Sequence, residues 1–93
     1  MYNKEEVMCM RKEEIWSVPI RRVRDFWGAQ PDVLTEADDR WKFRSCRILL
    51  EELPSRGAGM WAAPRVRICM EGEESDVLHI HRRFFLQFLS AGG

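Results

Sequence analysis

The sequence predicts an α+β domain in which a small antiparallel sheet packs against helices. Three observations carry that expectation. Apolar and polar residues alternate at period two over 65–70, apolar residues recur at helical spacing near 19–27, 36–53 and 77–89, and breakers separate these runs. A chain of 93 residues with 45% apolar and 32% charged side chains has room for a single core, so one domain over 1–93 is expected.

The elements follow in chain order. Over 6–20 the apolar residues scatter around a helical wheel, whereas an extended hairpin places Met8 and Met10 on one face. Arg11-Lys12-Glu13-Glu14 makes its turn and Trp16, Val18 and Ile20 line its returning strand. Pro19 suits a helix first turn, and Ile20, Val23 and Trp27 share one face of a helix near 19–27 that Gly28 terminates. Thr35 is a suitable N-cap for a helix over 36–53, with Phe43, Cys46, Leu49, Leu50 and Leu53 on its apolar face. Glu36, Arg40, Arg44, Arg47 and Glu51 form its charged stripe, and Pro54 stops it. Val66, Ile68 and Met70 alternate with Arg65, Arg67 and Cys69 in a strand over 65–70, which needs the N-terminal hairpin or another subunit as partner. Asp76 then caps a helix over 77–89 whose broad apolar face includes Val77, His81, Phe84 and Phe88.

Composition excludes several classes. Fifteen basic residues balance fifteen acidic ones, which rules out a uniformly basic binder of nucleic acid or anionic membrane. No apolar run approaches the ~18 residues that span a bilayer, so no membrane partner is expected, and residues 1–6 carry no hydrophobic leader. Cys9, Cys46 and Cys69 are odd in number and widely spaced, the pattern of free thiols rather than of a disulfide framework or zinc ribbon. The cytoplasm is the expected location.

No enzyme motif is present, no cofactor is implied, and no metal site is expected. His79 and His81 are the side chains whose ordinary titration lies near neutrality, but on a helix they point about 200° apart and do not share a ligand set. Neighbouring acids such as Glu13-Glu14 and Asp38-Asp39 read as solvated charges, not as a catalytic pair.

Two stretches resemble known families. Leu53-Pro54-Ser55-Arg56-Gly57-Ala58-Gly59 resembles the second cyclic-dinucleotide motif of PilZ domains, and Arg40 and Arg44 have that family's Arg-x-x-x-Arg spacing; Leu53 stands where the family has Asp. Ser90-Ala91-Gly92-Gly93 is similar to the tail of ubiquitin-like sulfur carriers, which implies a terminal carboxylate open to activation. That family places a strand before the tail, where this sequence predicts a helix.

Four Trp and twelve Arg in so small a domain are residue types that concentrate at interfaces. The expected function is therefore a non-catalytic protein-interaction or adaptor domain, binding a protein partner or itself as a homodimer. Trp41, Arg44, Arg47 and Trp61 are the candidate contacts. The alternative is a nucleic-acid or nucleotide-binding module in which Arg21, Arg22, Arg24, Arg82 and Arg83 hold phosphates; a sulfur carrier is third.

Overall fold

Four strands of the protein send alternate side chains to opposite faces, and a fifth, short strand completes their sheet. The computed structural model describes residues 8–91. Its order is β1 (Cys9–Trp16), α1 (Ile20–Ala29), β2 (Leu34–Ala37), β3 (Arg40–Phe43), β4 (Cys46–Arg56), β5 (Ala63–Glu73) and α2 (Glu74–Ala91). The five strands pair in the order β1-β5-β4-β3-β2, every neighbour antiparallel. Helix α2 lies across β5 and β1, and α1 across β4 and β5. The α+β class expected from the sequence is what the chain adopts.

Both helices cover the same face of the sheet. Trp41, Phe43, Cys46, Ile48, Leu50, Val66, Ile68 and Met70 supply the strand side of the core, and Val23, Trp27, Val77, Ile80, Phe84 and Phe88 the helix side. Each such large apolar side chain taken out of water stabilises the fold by roughly 1.5–3 kcal/mol. The opposite face carries no helix and is built from charge. Arg11, Glu71, Arg47 and Lys42 stand side by side across β1, β5, β4 and β3, and Arg67 lies 3.3 Å from Glu13 and 2.7 Å from Glu51 on the strands to either side.

Two predicted elements are corrected. Residues 36–53 form β2, β3 and β4 instead of one helix. Trp41 and Phe43, then Cys46, Ile48 and Leu50, point into the core at period two, with the Arg44-Ser45 turn between them. That two-residue turn offsets Phe43 from Cys46 by three positions, which imitates helical spacing, while Leu49 belongs to the open face. The N-terminal hairpin is likewise a single strand. Residues 11–14 continue β1 instead of turning, Val18 sits in the connector, and Ile20 opens α1. Charges are tolerated there because β1 is an edge strand, with Arg11 and Glu13 exposed and Lys12 and Glu14 only half buried.

The remaining elements match the sequence closely. Predicted helices 19–27 and 77–89 are found at Ile20–Ala29 and Glu74–Ala91, and the strand 65–70 lies within Ala63–Glu73. Pro19 stands just outside α1, where its carbonyl accepts from Arg22 N–H at 3.1 Å. Strand β5 needs no second subunit, since β1 and β4 pair with it on both sides.

Candidate functional site

Strands β4 and β5 outrun their neighbours. The β1 ladder ends at Trp16 opposite Val66, and the β3 ladder at Arg40 opposite Leu49 with one further bond from Leu50 N–H to Asp39 O at 3.0 Å, so beyond these β4 and β5 pair only with each other. Leu53 pairs with Arg65 and Arg56 with Ala63 across a register shift, which makes a two-stranded arm. Arg65 Nε donates to the Pro54 carbonyl at 3.1 Å, and Ser17 Oγ donates to the Pro64 carbonyl at 3.2 Å, tying the arm's base to the β1-α1 connector. Pro54 and Pro64 each remove a backbone donor, which disfavours pairing of the arm with a further strand. The arm therefore offers its side chains rather than its backbone to its surroundings.

The tip closes tightly. Trp61 N–H donates to Ala58 O and Ala62 N–H to Gly59 O, both at 3.1 Å, forming a turn of 3-10 type over Gly59–Trp61. Gly57 adopts φ +95°, and a Cβ there would lie 2.6 Å from the Trp61 carbonyl oxygen, so only glycine fits. This turn presents Met60 and Trp61 to solvent at 88% and 82% exposure, while Arg56, exposed, and Arg65, half buried, stand on the two strands below. Trp61, a candidate contact from the sequence, is thus exposed, and Met60 stands exposed beside it; the sequence signal for Met60 is an apolar pair inside a Gly-rich connector.

The other candidates are placed apart. Trp41 is only 5% exposed and packs 6.3 Å from Trp27 in the core, so it is a core residue and not a contact surface. Arg44 occupies the β3-β4 turn at φ 55°, its guanidinium 4.7 Å from the Phe43 ring, whereas Arg47 lies on the open sheet face. The single charged stripe expected of a helix dissolves because the two arginines sit on different faces. Of the candidate phosphate contacts, Arg24 forms a two-pronged pair with Asp39 at 2.7 and 3.0 Å, and Arg83 one with Asp32 at 2.8 and 3.1 Å. Arg22 lies over the Phe88 ring, and Arg21 and Arg82 are exposed on α1 and α2. Arg40 and Arg44 stand on and after strand β3, not on a helix.

The two histidines sit on opposite sides of α2. His79 stacks on Phe43 with ring centres 5.5 Å apart, and His81 Nε2 lies 2.9 Å from Glu14 Oε1. Burial pushes the Glu14 carboxyl up, but hydrogen bonds with Trp16 and His81 outweigh it and hold the group below the usual carboxylate range. Among the described residues no group of three His, Cys, Asp or Glu side chains is placed to hold a metal ion. A hollow of about 620 Å³ on the open sheet face is lined by charges of both signs, including the Glu13, Arg67 and Glu51 chain of ion pairs.

A polar joint locks the turn before β4 to the start of α2. Asp76 does not cap its own helix from outside as the sequence predicts; it lies within the first turn and accepts from Ser45 Oγ at 2.6 Å and Ser45 N–H at 3.2 Å. The Ser45 hydrogen bond is the main reason its carboxyl lies below the ordinary range; burial opposes the shift, and Arg44 at 3.8 Å adds to it. A depressed carboxyl contributes stability that is present above its unfolded-state value, near ~3.9, and is lost as pH falls through the lower folded value. Asp76→Asn is expected to lower stability by about 1.5–3 kcal/mol at neutral pH and to flatten the acid limb below pH ~4. Urea titrations at several pH values check this; an unchanged acid limb in the variant would assign the acid sensitivity elsewhere.

These features define the class: a two-layer α+β domain, one sheet face covered by helices and the other charged, with a tryptophan-tipped arm. Compared with family models, curated proteins and solved structures, the chain matches none. Among the described residues no helix is long and apolar enough to cross a membrane. Gly92 and Gly93, the tail that resembles sulfur carriers, lie outside the described residues, and helix α2 runs to Ala91 before them.

Proposed function

We propose that the protein is a non-catalytic interaction domain that holds a partner protein with the tip of the β4-β5 arm. The observation that carries this reading is the exposed Met60-Trp61 pair, two large apolar side chains presented by a glycine-bounded turn. A soluble domain places such residues in water where they are covered in a complex. With Arg56 and Arg65 below the tip, the fitting partner surface is an apolar pocket with an acidic rim. The free thiols Cys9, Cys46 and Cys69 suit a reducing compartment, and the cytoplasm is part of this reading.

A photo-reactive residue introduced at Met60 in the native host is expected to crosslink to one dominant protein. Binding of that protein, measured on the purified pair, is expected to weaken roughly thirtyfold or more with Trp61→Ala. Circular dichroism of the variant should be unchanged, because Trp61 buries no core surface. Unaltered affinity in a Trp61→Ala, Met60→Ala double variant would overturn the arm as the binding element. Nucleic-acid binding that falls steeply with salt and depends on Arg21 and Arg82 would overturn the reading as a whole.

A further inference from the structure

Strand β1 is an edge of the sheet, eight residues long, and among the described residues no strand pairs with its outer side. The Glu74 N–H donates to Met8 O at 2.8 Å, which fixes the ladder phase: even-numbered residues of β1 bond to β5. Cys9, Arg11, Glu13 and Ile15 therefore aim their N–H and C=O groups outward. Among the described residues, no turn, loop or cap hydrogen bond uses these groups.

The same edge carries an uncovered apolar flank. On α2, His81 reaches Glu14 of β1, and the Phe85 ring lies 5.8 Å from Trp16, so this side of the helix looks out over β1. Leu78, Phe85 and Leu89 fall within about 40° of one another around the helix at 100° per residue, and all three are exposed. Helix α1 packs on the other flank, where Phe26 meets Phe84 and Phe88. An open strand edge and an apolar helix flank thus lie side by side, and one occupant has to satisfy both.

We infer that this occupant is a second copy of the chain, added antiparallel along β1 so that two five-stranded sheets become one of ten. The charge order of the strand supports it. Arg11 and Lys12 precede Glu13 and Glu14, so an antiparallel copy sets basic against acidic. A two-fold axis at Lys12 places Arg11 opposite Glu13 of the other copy twice, and Cys9 opposite Ile15, with all four rungs on outward-pointing residues; the Lys12 side chains that then face each other at the axis are each offset by the nearby Glu14 carboxylate. An axis at Glu13 would instead set Glu13 against Glu13 on the central rung. The Lys12 axis also sets Trp16 opposite Met8 of the other copy, so Phe85, beside Trp16, and the exposed Met8 form an apolar contact at each end of the new ladder. This surface is separate from the arm and stands or falls without it.

Sedimentation equilibrium of the full chain is expected to give a mass of twice 11.0 kDa at micromolar concentration. Arg11→Glu, which puts like charges on two rungs, and Met8→Glu, at the ladder ends, should each weaken the dimer roughly tenfold or more. The double exchange Arg11→Glu with Glu13→Arg should restore it. Opposed residues on such rungs have Cα atoms about 5.5 Å apart, within disulfide reach. Ile15→Cys should therefore form a covalent dimer through Cys9 on mild oxidation with diamide. A monomer throughout the micromolar range, a dimer indifferent to these charge changes, or absence of the Cys9 crosslink would overturn the proposal.

Discussion

Replacing Phe84 by alanine is expected to remove a large share of the protein's stability, about 3–5 kcal/mol. The ring is the hub of the aromatic core: it meets Trp16 edge-on at 5.2 Å, stacks on Trp27 at 5.5 Å, and lies 4.7 Å from Phe88 and 5.8 Å from Phe26. It joins both helices to β1, so the cavity left behind would be lined from several elements and could collapse only if all moved together. Against a total of roughly 5–15 kcal/mol for a native domain, such a loss brings the variant near its unfolding midpoint. Chemical denaturation checks this, with Phe84→Leu as the milder companion. Trp27→Phe is an informative contrast, because Trp27 Nε1 is buried with no acceptor and its removal recovers part of what the smaller ring forfeits. A Phe84→Ala loss under about 1 kcal/mol would mean that the core is not organised around this ring.

Gly72→Ala should be nearly as damaging for the opposite reason, excess volume. A Cβ at this point of β5 would lie 2.6 Å from Ser45 O, 2.7 Å from Cys46 Cα and 2.8 Å from Ser45 C, all of them backbone atoms. That backbone cannot retreat freely, because Ser45 N–H is bonded to Asp76 and Ser45 Oγ accepts from Glu73 N–H at 2.9 Å. Overpacking of this kind costs about 1–3 kcal/mol, and the rigid neighbours place Gly72→Ala toward the upper end. Gly28→Ala is the control. It lies within α1 with nothing within 4 Å of its added methyl, so it should stabilise by about 0.5–1 kcal/mol. Thermal midpoints that move in opposite directions for the two variants would support the close approach of Ser45 to β5; a harmless Gly72→Ala would refute it.

The contrast between these glycines shows where sequence reading stops. Gly28, expected to end the helix, lies just inside its last turn, close to where the pattern of Ile20, Val23 and Trp27 before it points. Gly72 carries no such signal, since nothing near it in the chain reveals that Ser45 passes within touching distance. Residues 36–53 teach the same lesson. Their apolar spacing suits a helix until the turn at Arg44-Ser45 is known, and that turn is held by Asp76, thirty-one positions from Ser45. The arm was legible in part: Trp61 stood out as an interface residue type, but its projection depends on where the β1 and β3 ladders end.

What the sequence determined by itself is what neighbouring residues decide together. The proline and apolar spacing of α1, the alternation within β5 and the amphipathic run of α2 each specify local backbone through contacts a few residues apart, so they are visible without the fold. The balance of fifteen acids and fifteen bases is equally plain. Only the tertiary structure decided which face each strand buries, that Trp41 is core while Trp61 is exposed, and that the charged run 11–14 is an open sheet edge rather than a turn. Strand pairing joins residues dozens of positions apart, and hydrogen bonding between them overrides local pattern wherever two readings of that pattern are close in energy.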